Sequence, residues 1–401
     1  MMDYTLFGES HGPVVGILLR HVPAGLTVDE AFIARQMERR MARGALATAR
    51  HEVDRVEFLS GVFEGKTTGM PLVAIIRNGD VRAKDYDALR AVARPGHADY
   101  TAYVKSGGGN DYRGGGHFSG RLTAPLTAAG ALALTWLKEQ KITVEAQIVD
   151  EDDLRRRAAE AKADGDSVGG QIRCTIMGLP AGVGGPDWYD AVESEMARHL
   201  FAIPGVKAVS FGAGENFASL RGSEANDAFR TDGKCVWTVT NHSGGINGGI
   251  TNGMPVVCTV TFRPTPSIAK AQDTVDFRAM ENTTVSVAGR HDPCIVLRAA
   301  PVVEAAAALA LCQLMEPEAE TLDDLRRRID DTDEELVELL ARRMELSRRV
   351  GDYKKANGLP VLDARREEQV LQSRGDLAPE YRQAVEAIYR EIMRWSREEQ
   401  Q

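Results

Sequence analysis

Two histidines lie in glycine-flanked turns, Gly8-Glu-Ser-His11-Gly12 and Arg94-Pro-Gly-His97-Ala-Asp99. An imidazole exchanges a proton near neutral pH, and glycine lets backbone approach a small molecule closely, so each turn is a candidate acid–base site. A single histidine is more often a structural residue. A third segment changes the weighing: Asp111-Tyr-Arg113-Gly-Gly-Gly116-His117-Phe118-Ser119-Gly-Arg121-Leu-Thr123 runs glycines and a hydroxyl into an Ala/Leu-rich stretch. That pattern can aim backbone N–H groups and a helix N-terminus at a phosphate. Asn241 to Gly249, Phe262 to Ile268 and Gly289 to Pro293 add three more loops of Gly, Pro and polar groups. Their joint occurrence points to a small anionic ligand.

A second set of candidates lies beyond residue 320. Apolar residues recur at Leu322, Leu325, Ile329, Leu336, Leu339, Leu340, Leu346 and Val350, the spacing of one helical face. On such a helix Arg343 and Lys354 are about 20° apart around the axis and about 16 Å along it, so both arms can close on one dianion. Arg326 is about 100° away and about 25 Å distant. If all three cations serve one ligand, Arg326 must come from a second subunit. Ser396 and Gln400 are one helical turn apart and share a face.

Two kinds of scaffold must position these groups. Of 39 glycines only Gly351, Gly358 and Gly375 lie beyond residue 316. Residues 1–315 read as a mixed α/β domain, 316–320 as a polar linker and 321–401 as an all-α domain of three helices. In the first domain β-prone runs at 14–19, 53–59, 72–76, 143–149, 172–177 and 256–262 are bounded by Gly, Pro or Asp. Thr27-Val-Asp-Glu30 has the form of a capping box for a helix to about Arg43, and further helices are predicted over 122–138 and 301–315. In the second, helices are predicted over 321–356, 363–374 and 379–399, with Gly358 and Pro360 ending the first.

The chain has 401 residues, 43% of them hydrophobic, enough for at least one large core. A net charge of −9 gives no general attraction to nucleic acid or anionic membrane. The five cysteines form no Cys-x-x-Cys pair and sit mostly among apolar residues, which suits reduced thiols and the cytoplasm. Met1 to Gly12 has no basic region followed by an apolar stretch, and no run approaches about 20 apolar residues, so neither export nor membrane insertion is expected. No strand runs into Gly-x-Gly-x-x-Gly, which argues against a nicotinamide dehydrogenase. No metal site is expected.

Taken in order, GESHG, RPGHAD, YRGGG, GGINGGI and GRHDP make residues 4 to 314 resemble chorismate synthase. The resemblance implies a β-α-β sandwich binding reduced FMN and 5-enolpyruvylshikimate 3-phosphate, and an anti-1,4-elimination of phosphate giving chorismate. It implies that His11 protonates the departing phosphate, that His97 adjusts flavin protonation and that Asp292 assists removal of the C6 proton. Arg39, Arg40, Arg50, Arg113 and Arg121 become the candidate anion holders, since guanidinium forks match phosphate and carboxylate. His117, Phe118, Ser119, Gly205, Gly248, Arg263, Thr265, Ser267 and Arg290 become the candidate flavin site. The chain departs from the family pattern at His117-Phe118 and Leu122, where Arg-Ser and Glu are usual, and at Arg263, where Lys is usual.

Residues 320 to 401 resemble the all-helical chorismate mutases through Arg326, Asp333, Arg343, Lys354, Asp363, Arg366, Glu367, Ser396 and Gln400. This second resemblance implies a Claisen rearrangement of chorismate to prephenate. In it, Arg326 and Arg343 hold the carboxylates, Lys354 and Gln400 bond the ether oxygen, and Asp363, Arg366, Glu367 and Ser396 orient the ring. The expected protein is thus a bifunctional cytoplasmic homo-oligomer, tetrameric through the synthase domain and an intertwined dimer through the mutase domain. Its partners are the two small-molecule substrates, without nucleic acid or membrane. The alternative is a synthase carrying a non-catalytic helical dimerisation or effector-sensing module.

Overall fold

The computed structural model describes residues 2–41, 46, 54–79, 90–185, 187–287, 292–315 and 322–400. The expected linker 316–320 and the candidate residues Arg50 and Arg290 lie outside the described residues. The chain divides into two compact units, Met1–Pro317 and Glu318–Gln401.

The first unit runs β1 (Asp3–Gly8), β2 (Val14–Arg20), α1 (Glu30–Arg40), β3 (Val56–Ser60), β4 (Leu72–Arg77), α2 (Asp99–Ser106), α3 (Thr123–Glu139), β5 (Thr143–Ile148), α4 (Glu151–Ala163), β6 (Gly170–Met177), α5 (Val192–Phe201), β7 (Val206–Phe211), β8 (Val256–Phe262) and α6 (Ala300–Leu314), with short hairpins and 3-10 turns between. Two four-stranded antiparallel sheets form, in the orders β1-β2-β4-β3 and β5-β6-β8-β7. Helix α3 packs on β2 and β4 of one sheet and on β5 of the other, and α6 packs on α3 and on β5 and β6. The helices are therefore the filling of a β-α-β sandwich.

Composition explains that placement. Helices α3 and α6 are Ala/Leu-rich on every face, and residues 123–133 and 301–312 are buried all round; a helix apolar on all sides belongs in a core. Small residues let the two approach closely: a Cβ at Gly130 would come within 2.1 Å of the Ala305 Cβ. Strand β8, by contrast, alternates strictly between buried and half-buried residues, with Val256, Cys258, Val260 and Phe262 in the core.

The elements differ from the sequence reading in one helix cap and in five further elements. The N-cap of α1 is Asp29, whose Oδ1 accepts from Phe32 N at 2.8 Å, and not Thr27, which bridges to Lys66 in extended backbone. Strands β1 and β7 and helices α2, α4 and α5 were not predicted. In α4 only Leu154 and Ala158 are buried, too few to register as an apolar face.

The second unit comprises α7 (Leu322–Ala356), α8 (Ala364–Leu377) and α9 (Arg382–Glu398), the last packed on both others. Asp363 caps α8, its Oδ1 accepting from Arg366 N at 3.0 Å. Gly358, at φ 66°, reverses the chain after α7, where Leu359 N bonds Lys354 O at 2.9 Å. No helix among the described residues is long and apolar enough to cross a membrane, and none of the five cysteines is in a disulfide.

Candidate active sites

In the first unit the three-glycine run joins the two histidine turns. Gly114, Gly115 and Gly116 all have positive φ, so they fold into a tight coil that a side chain would strain. A Cβ at Gly114 would meet the His11 ring at 2.2 Å, and one at Gly115 would meet the His97 Nε2 at 2.8 Å. The two imidazoles thus lie against adjacent residues of one loop, although 86 positions separate them in sequence. His11 is buried, with Ser10 Oγ 3.1 Å from its Nδ1, and Ser10 N is held by Gly116 O at 3.1 Å.

His97 is fixed by residues that carried no assignment in the sequence reading. Asp99 Oδ1 stands 2.8 Å from His97 Nδ1. Arg94, itself buried, clamps both Asp99 oxygens through Nε at 2.8 Å and Nη2 at 2.7 Å, and donates from Nη1 to Ser267 Oγ at 3.2 Å. Burial alone would raise the Asp99 pKa, but the hydrogen bonds from Arg94 and His97 outweigh it and hold the carboxyl far below the ordinary range. The sequence signal was present in the RPGHAD motif itself.

Arg263 stacks beside the same turn. Its Nη1 donates to Gly96 O at 2.6 Å, and a Cβ at Gly96 would sit 2.1 Å from its Nη2. Its own N–H bonds Gly205 O at 2.9 Å, and Gly205 packs on Ile295, three residues beyond Asp292. Asp292 is buried and ion-paired with Arg298. His11, His97, Gly205, Arg263, Ser267 and the Asp292 loop are therefore linked by successive contacts. Thr265 Oγ1 lies next in the chain, buried and without a hydrogen-bond partner among the described residues. His117 bonds Gly8 O at 3.2 Å through Nδ1, and Phe118 is half exposed beside it. Ser119 Oγ accepts from Arg121 N at 3.3 Å at the turn into α3.

The candidate anion holders separate. Arg40 and Arg121, both buried, share the buried Asp54: Arg40 Nη1 reaches one oxygen at 2.9 Å and Arg121 Nη1 pairs with the other. Two guanidiniums thus converge on one carboxylate at the start of α3, where Arg40 Nε also donates to Thr123 Oγ1 at 2.9 Å. Arg113 forks onto Asp111 at 2.8 and 2.7 Å, which depresses the Asp111 carboxyl. Arg39 is not brought to the histidines. Its guanidinium is bidentate on the buried Glu304 of α6 at 2.5 and 2.8 Å, a tie between helices. Gly248 is not joined to them either; with Gly249 it forms the two-residue turn of the Ile246–Thr251 hairpin, at φ 64° and 84°.

In the second unit the site rests on helix faces. Arg343 Nη1 donates to Ser396 Oγ at 2.5 Å, and Lys354 Nζ donates to Gln400 Oε1 at 3.2 Å and to Val361 O at 2.6 Å. Burial lowers the Arg343 pKa. A Cβ at Gly351 would come within 2.7 Å of the Gln400 Cα, so a glycine on α7 lets the end of the chain reach Lys354. Glu367 accepts from Arg397 at 2.6 Å, and Asp363 and Arg366 are exposed at the start of α8. Arg326 is also exposed, 17 residues before Arg343 on the same unbroken helix, hence about 25 Å away. Arg397, Gly351 and the Val361 carbonyl were not predicted.

Comparison with known proteins gives the same division. The chorismate synthase family model matches residues 2–315, and the chorismate mutase type II model matches residues 325–401. A chorismate synthase of Aeropyrum pernix is 46% identical over 343 residues, 78% of this chain and 90% of that protein. Those of Thermococcus gammatolerans and Dehalococcoides mccartyi are 44% and 40% identical, over 78% of this chain and 95% and 94% of theirs. A crystal structure of chorismate synthase, 24% identical, covers 82% of this chain and 97% of its own at a TM-score of 0.61, which bears on the fold alone. The chain therefore belongs to the chorismate synthase family, and a chorismate mutase type II domain is joined to the end of its synthase domain.

Proposed function

We propose that residues 1–315 convert 5-enolpyruvylshikimate 3-phosphate to chorismate in the presence of reduced FMN, and that residues 321–401 rearrange chorismate to prephenate. The observation that carries the first half is the seating of His11 and His97 on adjacent glycines of one loop.

The residues present fit a flavin phosphate: Arg263 supplies a cation, Ser267 a hydroxyl, and Thr265 a buried hydroxyl with its hydrogen-bonding capacity unspent among the described residues. When bound, reduced FMN supplies the electron density that an elimination of phosphate from carbon draws on. His11, buried and held through Ser10, protonates the departing phosphate oxygen. His97 holds a proton beside the flavin. Asp292, kept in place by Arg298, assists removal of the proton from C6. Arg40, Arg113 and Arg121 balance the substrate's negative charge from fixed positions, which lowers the cost of developing charge because they need not reorganise.

The mutase step needs neither nucleophile nor metal, because it is pericyclic. Lys354 and Gln400 place hydrogen-bond donors where negative charge grows on the ether oxygen, and Arg343 holds a carboxylate. Arg326 reaches the same substrate only from a partner subunit. An intertwined dimer also accounts for Leu336, Leu339, Leu346 and Val350 of α7, which are 46–57% exposed in the single chain. A tetramer through the synthase domain and residence in the cytoplasm complete the reading. The test is one anaerobic assay with reduced FMN that follows chorismate and prephenate together. Formation of neither by folded protein refutes both halves.

A further inference from the structure

We propose that Asp99 is a positioning residue that fixes the Nδ1–H tautomer of His97 and leaves Nε2 turned to the Gly115 loop. Two groups compete for His97 Nδ1: Asp99 Oδ1 at 2.8 Å and Arg94 Nη2 at 3.1 Å. They demand opposite tautomers, because a guanidinium only donates and a carboxylate accepts.

Geometry decides between them. Arg94 Nη2 is also 3.4 Å from Nε2, nearly equidistant from both ring nitrogens. A donor on the Nδ1 lone pair lies in the ring plane and would stand about 5 Å from Nε2. Arg94 is therefore off that lone-pair direction, and its Nη2 is already bonded to Asp99 Oδ1 at 2.7 Å. Asp99 Oδ1 is the nearer partner of Nδ1, at 2.8 Å, and a carboxylate oxygen that close to a bare ring nitrogen would set lone pair against lone pair, so Nδ1 carries the hydrogen.

Nε2 then faces Gly115, where a Cβ would come within 2.8 Å of it. The lock is braced from several elements. Asp99 also accepts from Arg94 N at 3.0 Å, and Arg94 reaches Ser267. On the far side of Asp99 lies a small polar cleft shared with Arg90, Tyr103, Tyr112 and Arg278. Arg263 faces the His97 turn across Gly96, and His11 lies across the glycine loop.

The catalytic consequence rests on the synthase reading of His97; the tautomer does not. The direct test is nitrogen NMR of the ligand-free full chain labelled at its 8 histidines, at a pH where imidazole is neutral, with His97→Gln identifying the signal. A protonated Nδ1 and a bare Nε2 in the wild type support the proposal, and the reverse overturns it whatever the variants do. Asp99→Asn, which can offer Nδ1 a donor, is expected to mix or invert the tautomer and to lower synthase kcat about 100-fold. Asp99→Glu restores the Nδ1–H form and most of the rate. An Asp99→Asn protein with an unchanged tautomer refutes the positioning role. A correct tautomer with a fully active His97→Gln protein would instead refute the synthase reading of His97.

Discussion

In the Met1–Pro317 unit, His11 and His97 meet because two distant turns press on Gly114 and Gly115, whereas in the Glu318–Gln401 unit Arg343 and Lys354 share a face through helix geometry alone. Their treatment of charge differs as well. Four synthase-side arginines are matched by carboxylates, with Asp54 between Arg40 and Arg121, Asp99 on Arg94 and Asp111 on Arg113, whereas Arg263 is held by the Gly96 carbonyl. Arg343 and Lys354 are bonded to neutral groups, a hydroxyl, an amide oxygen and a backbone carbonyl. A cation held by neutral groups keeps its charge for the ligand, and its loss leaves nothing to compensate. Single substitutions should therefore act most sharply on the mutase side.

Lys354→Ala sharpens that contrast first. Removing the one charged donor assigned to the ether oxygen is expected to lower mutase kcat about 10³-fold with the helices intact by circular dichroism and chorismate formation unchanged. Retained prephenate formation would make the helical unit a dimerisation module. His11→Ala should lower chorismate formation about 10²-fold, as loss of one general acid does, while added chorismate is still rearranged at the normal rate. A loss of both activities would mean that the two units are not functionally separable.

A weaker but more specific effect tests the incompleteness of one chain. Arg326→Ala and Lys354→Ala proteins, each inactive as mutases, are unfolded, mixed and refolded together. Half the dimers then combine the two chains, and each such dimer has one intact site, so about one quarter of wild-type activity should return. No recovery, with mixed dimers present by mass, would place Arg326 outside the partner's site.

Legibility in the sequence tracks the same difference. The helical unit could be laid out on a wheel, so that the separation of Arg326 from Arg343 and the pairing of Ser396 with Gln400 on one face came from a rise of about 1.5 Å per residue. Strand 256–262 was legible as a β-prone run bounded by turn residues, and α3 and α6 because they are apolar throughout. In the loop-built unit the motifs identified His11 and His97, but not their partners. Asp54 lies 67 positions from Arg121, and Arg39 looked like Arg40 until the fold turned it to Glu304, 265 positions away. Charge partners at such separations are decided by tertiary packing and leave no local pattern. Strand β1 was missed because none of its six residues is fully buried, which removes the alternation that marks a strand.

Gly130→Ala probes the scaffold rather than the chemistry. The added methyl has no room against Ala305, so α3 and α6 must move apart, at a cost of about 1–3 kcal/mol in the stability of the synthase unit. Melting of the helical unit should stay where it was. If the whole chain melted earlier in one transition, the two units would be unfolding cooperatively and the division into separate units would fail.

The smallest expected effect is a pH dependence confined to the synthase side. Asp227 ties down the 241–249 loop by accepting from Ser243 N at 2.8 Å, His242 N at 2.7 Å and Thr240 Oγ1 at 2.7 Å. Burial acts to raise its pKa, yet these hydrogen bonds prevail and lower it from 3.8 to about 2. A carboxyl depressed in the folded state contributes stability that is complete above its unfolded value and is lost as pH falls from about 4 to about 2. Asp227 is largely solvated, so screening leaves a contribution of about 1 kcal/mol or less. Asp227→Asn should therefore flatten the acid limb of synthase-unit stability between those pH values and leave the limb of the helical unit, where no carboxyl caps a comparable glycine loop among the described residues, as it was. Acid unfolding of the variant that matched the wild type would show that the loop is held by its backbone turns and not by this side chain.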